Sequence, residues 1–221
     1  VDMCLMVFRW QPMANYPLIL VANRDEWFAR PTAVAHWWED SPAIYAGRDL
    51  HAGGTWLGVR RNGQWAGLTN FRAPVHHRVG VLSRGVLVQN FLSQAVTPMM
   101  YAQGLAVEGM NGFNLLLGCL RRRELVYRSH LRVAQPLPAG LYGLSNAVLD
   151  TPWWKVTQAK ARLAQVCTAS LTAEKLWAVL DNTQQAPAIT WPVTGVGDVW
   201  EARLSAMRIV APEQAYGTRT T

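Results

Sequence analysis

Val21-Ala22-Asn23-Arg24-Asp25-Glu26 joins the end of an apolar run to one amide and three consecutive charges. The apolar residues Leu18 to Ala22 are long enough for a buried strand, and a strand that ends this way delivers polar groups to one edge of a sheet. Upstream, Cys4 to Trp10 is a second apolar strand, opening directly after Met3. Gln11-Pro12-Met13-Ala14-Asn15 between them is rich in turn formers. The two strands are therefore expected to form a hairpin, and antiparallel pairing returns Cys4 to the Asn23-Arg24-Asp25 end. A thiol then meets a guanidinium and a carboxylate.

Outward from this hairpin the pattern is uneven. Trp27 to Asp40, broken by Pro31, reads as a loop, and Ile44 to Gly47 as a short strand before the turn-rich Arg48 to Gly54. Thr55 to Arg61 and Gln64 to Asn70 flank Asn62-Gly63, a strong hairpin signal. Ser83 is expected to cap a helix to about Ala95, and Thr97-Pro98 to open another to about Glu108. Phe113 to Leu120 and Glu124 to Ser129 form a third hairpin across Arg121-Arg122-Arg123, and Leu141 to Asn146 is one more strand. Thr151-Pro152 starts a helix whose Trp153, Val156, Ala159, Leu163 and Val166 follow a 3.6 period; Thr172 caps the next, to about Leu180. Pro187 to Gly197 reads as loop, then a short helix over Asp198 to Leu204 and a strand near Ile209. Strand blocks alternating with helix pairs exclude a regular βαβ succession. They predict an α+β fold of antiparallel sheets with helices on their outer faces.

The 221 residues, half of them hydrophobic, suit a single domain over 1–221. Met3 is a natural-looking start, so Val1 and Asp2 read as a remnant ahead of it. The net charge of +7 comes from 21 basic and 14 acidic residues. These are scattered, which argues against a nucleic-acid partner and for anionic small ligands. Cys4, Cys119 and Cys167 are three widely spaced thiols with no C-x-x-C pair, which argues against a disulfide framework or a metal site and for a reducing, cytoplasmic setting. No run approaches the roughly 18 apolar residues of a membrane span.

Cys4, Arg24, Asp25, Asn70 and Asn146 make one candidate catalytic group. Arg24 would lower the thiol pKa, and removal of Met3 would free the Cys4 α-amine, whose pKa of about 7.7 to 8.0 suits a general base. Asp25 would orient that ammonium, and the two asparagines would donate to an oxyanion. Each residue also has a plain structural reading: core packing for the cysteine, turns for the asparagines, an ion pair for Arg24 and Asp25. What favours chemistry is that three strands end in polar groups while a thiol follows Met3. His76 and His77 are adjacent and on a regular strand face opposite ways, so they cannot jointly bind one metal ion without a turn. Haem needs only one or two axial groups, and a basic chain with 11 tryptophans suits a flat amphipathic dianion, so haem stands as a candidate ligand with no cofactor required.

The run Val21 to Glu26 resembles the signature of the NRDE family, which includes the transport-and-Golgi-organisation proteins of animals. Further similar motifs are Met3-Cys4, Gly53-Gly54-Thr55-Trp56-Leu57-Gly58, Asn70-Phe71-Arg72, Asn111-Gly112-Phe113-Asn114, Gly143-Leu144-Ser145-Asn146, Leu149-Asp150-Thr151-Pro152-Trp153 and Tyr216-Gly217-Thr218-Arg219. They follow one another along nearly the whole chain. The resemblance implies an N-terminal-nucleophile hydrolase-like fold, a four-layer αββα sandwich. Cysteine hydrolases of that fold, such as the choloylglycine hydrolases, place Cys after Met and use a nearby Arg and Asp. Cys4, Arg24 and Asp25 look like their counterparts, although the enzymes separate Arg from Asp by two residues and here they adjoin. Family members also continue past the Tyr216 to Arg219 motif with a further strand.

For function, the resemblance implies a handler of haem or of acyl-coenzyme A, working in haem trafficking with haem-accepting partner proteins, or else an N-terminal cysteine amidohydrolase or thioesterase. Asn23, Arg24, Trp56 and Arg72 are the expected ligand contacts.

Overall fold

The computed structural model describes residues 3–72, 83–168 and 170–221; His76 and His77 lie outside them. In chain order the first strands are β1 (Met3–Trp10), β2 (Leu18–Trp27), β3 (Thr32–Trp37), β4 (Ile44–Asp49), β5 (Leu57–Arg60) and β6 (Gln64–Asn70). Helices α1 (Gly85–Ser93) and α2 (Pro98–Gln103) follow, then β7 (Phe113–Cys119), β8 (Glu124–Ser129), β9 (Gln135–Pro136) and β10 (Gly140–Leu144). The chain ends with α3 (Trp154–Thr168), α4 (Ala173–Leu180), α5 (Asp198–Leu204), β11 (Val210–Ala211) and β12 (Tyr216–Thr220).

Among the described residues the strands form two antiparallel sheets, one ordered β10-β1-β2-β12-β11 and the other running β3 to β9 in sequence order. Period-two alternation assigns their faces. Leu5 and Val7 of β1 and Ile19 and Val21 of β2 pack against Val156, Ala159 and Leu163 of α3 and Val179 and Leu180 of α4. The intervening Met6, Phe8, Trp10 and Ala22 face the other sheet and meet Trp65, Leu116, Leu125 and Tyr127. On the far side of that second sheet, Ala66, Leu68, Leu115 and Leu117 pack against Leu87, Val88, Phe91 and Leu92 of α1 and Ala102 of α2. The layers are helix, sheet, sheet, helix, as the sequence implies. Each fully buried Leu, Val or Phe side chain in these layers contributes roughly 1.5–3 kcal/mol.

The β5–β6 hairpin turns at Asn62-Gly63, where Gly63 has φ 90°, a value that favours glycine. Gly54 serves close approach: a Cβ there would lie 2.7 Å from the backbone of Gly85 at the start of α1.

Several boundaries differ from expectation. β2 does not stop at its polar residues but continues through them to Trp27, because β12 pairs along its other edge, with Thr218 opposite Asp25 and Gly217 opposite Glu26. β3 occupies part of the expected loop; it is an edge strand with exposed Val34 and Trp37, so it carries no clean alternation. α2 ends at Gln103 rather than near Glu108, with Gly104 as its C-cap. Ser83 does not cap α1 in the usual way; Arg84 holds that position, and Ser83 Oγ accepts from Gly85 N at 3.3 Å. Thr172 caps α4 as read, accepting from Lys175 N at 3.4 Å.

Candidate functional site

The β1–β2 ladder sets Cys4 directly opposite Arg24 and Met3 opposite Asp25. Cys4 shares the parity of Met6 and Arg24 that of Ala22, so both look into the space between the sheets. Asn23 and Asp25 have the opposite parity and face the α3–α4 layer.

A cavity of about 1040 Å³ opens at this end of the sandwich. Cys4, Arg24, Asp25 and Asn70 line it, and so does Trp56. Asn146 does not line it but adjoins: its Nδ2 donates to Asn70 O at 2.8 Å, and Ser145 Oγ donates to Cys4 O at 3.0 Å. The loop after β10 therefore ties the cysteine strand to the end of β6. Thr69 Oγ1 donates to Ser145 O at 2.6 Å and Asn114 Nδ2 to Ala147 O at 2.9 Å, which holds the loop's backbone from the second sheet.

Two expected ligand contacts lie elsewhere. Asn23 is fully buried on the helix side of β2, where Nδ2 donates to Met207 O at 2.9 Å. Arg72 turns away from the cavity: its guanidinium pairs with Glu201 of α5 at 3.0 Å and stacks over Trp153, 4.8 Å from the ring centroid.

Sequence reasoning passed over several residues that the fold brings in. Glu26, one strand pleat beyond Arg24, accepts from Arg24 Nη2 at 3.2 Å and lines the cavity. Arg30, Arg48, Arg84 and Arg219 also line it; with Arg24 that makes five arginines against Asp25, Glu26 and Asp49 among the described lining residues. Arg30 closes on Asp49 at 2.7 Å, whereas Arg219 Nη1 donates to the carbonyls of Phe28 and Arg30 at 3.1 and 2.6 Å. Ala33, Val34, Ala35, Leu57 and Leu68 supply apolar wall. The arginines come from separate turns and strand ends, so no sequence window displays them together.

Behind the cysteine sits a second group. Lys155, 2% exposed, and Asp25, 1% exposed, face each other from α3 and β2, and Thr218 donates its hydroxyl to Asp25 Oδ1. Burial pushes the Asp25 carboxyl up to about 6, although Lys155, Thr218 and Arg24 pull the other way. Burial likewise brings the Lys155 ammonium down to about 8 against the pull of Asp25. A signal for Lys155 was present: it precedes Ala159 and Leu163 at four-residue spacing, on the stripe that meets the sheet.

Two facing antiparallel sheets between helical layers, with a cysteine near the start of an inner strand at a cavity, define an N-terminal-nucleophile hydrolase-like class. The solved Caenorhabditis elegans N-acylethanolamine-hydrolyzing acid amidase (NAAA) ortholog has this fold too: it superposes with a TM-score of 0.56 at 10% identity, covering 94% of this chain and all of that one. Within the class, the chain belongs to the Transport and Golgi organisation 2 family, whose model matches residues 3–221. Curated relatives include the Transport and Golgi organization protein 2 homologs of Homo sapiens, 34% identical over 99% of this chain and 86% of that protein, and of Bos taurus, 32% identical over 99% and 87%. The Drosophila melanogaster Transport and Golgi organization protein 2 is 26% identical over 99% of this chain and 86% of its own.

Proposed function

We propose that this protein is a cytoplasmic carrier of an amphipathic anion, haem or acyl-coenzyme A, held in the cavity beside Cys4. The observation that carries the reading is the cavity itself. At about 1040 Å³ it stands at the upper end of small-molecule sites, and its wall combines five arginines with an apolar strip from β3, β5 and β6. Carboxylates or phosphates would meet the arginine forks, and an acyl chain or porphyrin face would meet Ala33, Val34, Leu57 and Trp56. For haem, Cys4 and His51 both line the cavity as axial-ligand candidates. A haem-accepting protein would then be the downstream partner.

Titration of the protein with haem and, separately, with a long-chain acyl-coenzyme A tests this through quenching of tryptophan fluorescence. Saturable binding is expected, with mutual competition and a smaller signal in Trp56→Phe. No saturable binding of either at micromolar concentrations would refute the reading.

A second reading rests on a different observation, the apposition of Cys4, Arg24 and Asp25 at the first residues of β1. Freed of Met3, Cys4 would attack an amide or thioester carbonyl, its α-amine taking the thiol proton and passing it to the departing amine or thiol, and water would then release the acid from the sulfur. The solved relative in fold is itself named as an amidase.

A further inference from the structure

Lys155 is a lysine with no ordinary reason to be buried where it is. It lies at the start of α3, on the face turned to the sheet, and its Nζ has no hydrogen-bond partner among the described residues. Asp25 Oδ2 is also without one, and the two side chains do not close to ion-pair distance. A structural ion pair would do so, because two buried charges recover their desolvation cost only at short range with their remaining bonds filled. Charged groups left in this state cluster where chemistry needs them.

The surroundings point to the cysteine. Arg72 N donates to Asn146 O at 2.7 Å, Ser145 next to it is bonded to Cys4 O, and the Arg72 guanidinium stacks on Trp153, two residues before Lys155. The first turn of α3 therefore stands at the Cys4 end of β1, and Val156 covers Gly143 of the neighbouring β10. The charged and titratable groups near enough to act on the Lys155 charge are Asp25 from β2, Cys4 from β1, Arg72 beyond β6 and Glu201 from α5. Arg72 and Glu201 pair with each other. What remains for the Lys155 charge is Asp25 and the sulfur.

We infer that Lys155 is a positioning residue for Cys4: its ammonium, lying with the Asp25 carboxylate behind the first residues of β1, holds the cysteine sulfur as a thiolate at the cavity wall. Arg24 supports the same charge from the cavity side, and the thiol proton leaves to solvent through the cavity. A thiolate serves iron ligation and nucleophilic attack equally, so this inference is independent of whether the cavity stores its ligand or consumes it.

The test reads the sulfur directly and needs no ligand. Iodoacetamide is applied to the 221-residue protein across a pH series. The thiolate displaces iodide to give the S-carboxamidomethyl thioether, and peptide mass spectrometry follows Cys4 and Cys167 separately. The Cys4 rate is expected to reach its half-maximum at lower pH than an ordinary thiol, about 8.5. Lys155→Met should move that midpoint upward and slow alkylation at pH 7 roughly tenfold, the equivalent of one pK unit, while Lys155→Arg keeps the low midpoint. Thermal melting checks that the variants are folded. A Cys4 midpoint in the unaltered protein at or above that of Cys167 overturns the inference even if the Met variant fails to fold, as does a folded Lys155→Met with an unmoved profile.

Discussion

Cys4 and Arg24 stand opposite each other across the β1–β2 ladder, on the face of the sheet that looks into the cavity. Arg24 is 7% exposed and already engages Glu26 and, at 3.5 Å, Thr32 Oγ1, so its guanidinium is pre-oriented before any ligand arrives. Replacing it removes a charge-assisted contact of about 1.5–3 kcal/mol and leaves Glu26 without that partner. Arg24→Ala is expected to weaken acyl-coenzyme A binding roughly tenfold to a hundredfold, and Cys4→Ala much less. Equilibrium titration of both variants checks the order. Haem reverses it only if the Cys4 sulfur ligates the iron, which the visible absorption spectrum reports.

The peptide bond between Met3 and Cys4 bears on turnover. With Met3 in place the Cys4 nitrogen is an amide, so even a Cys4 thiolate has no α-ammonium to hand a proton to the leaving group near neutral pH. The present chain should hydrolyse acyl amides or thioesters negligibly, and only a chain starting at Cys4 could do so. Equal and substantial rates for the two chains would show that the α-amine is not the base.

Asp25 predicts a specific pH dependence of stability. Its folded pKa of about 6 lies above the reference 3.8, so the folded state takes up the proton first as pH falls. Its contribution is therefore fully favourable below about 4 and is lost as pH rises through about 6, with a limiting slope of about 1.4 kcal/mol per pH unit. Urea unfolding of the protein and of Asp25→Asn between pH 4 and 7 should give a difference curve falling with pH. A flat difference curve would mean that Asp25 is not held in a desolvated site.

The Arg72–Glu201 pair fastens α5 to the segment after β6, with side chains only 7% and 6% exposed. Thr194 N and Oγ1 also donate to Glu201 Oε1, at 2.8 and 2.5 Å. Glu201→Gln should cost about 3–5 kcal/mol by stranding a buried guanidinium. The chemical-denaturation midpoint measures this, and a loss under 1 kcal/mol would show that the pair is dispensable.

The hairpins at Asn62-Gly63 and Arg121-Arg123 were legible because turn chemistry and alternation are local, and the β1–β2 hairpin because both apolar runs flank a turn-rich segment. β12 was not. Tyr216 to Thr220 is short and partly polar, and it becomes an inner strand only because β2 offers its free edge to residues nearly 200 positions away. The site divides in the same way. Cys4, Arg24 and Asp25 follow from a hairpin register, whereas the joining of Asn146 to Asn70, the arginines around the cavity and the approach of Lys155 to Asp25 depend on which sheet faces which. Asn23 sits in the same motif as Arg24, yet the alternation of a strand sends it to the other face.

Whether the cavity holds its ligand unchanged separates a carrier from an enzyme. The most direct measurement incubates a chain starting at Cys4 with a long-chain acyl-coenzyme A and follows the masses of protein and ligand together over time. Binding with the ligand recovered intact and the protein mass unaltered is the predicted result; an acyl adduct on Cys4 that forms and turns over would contradict it and make the protein a cysteine hydrolase.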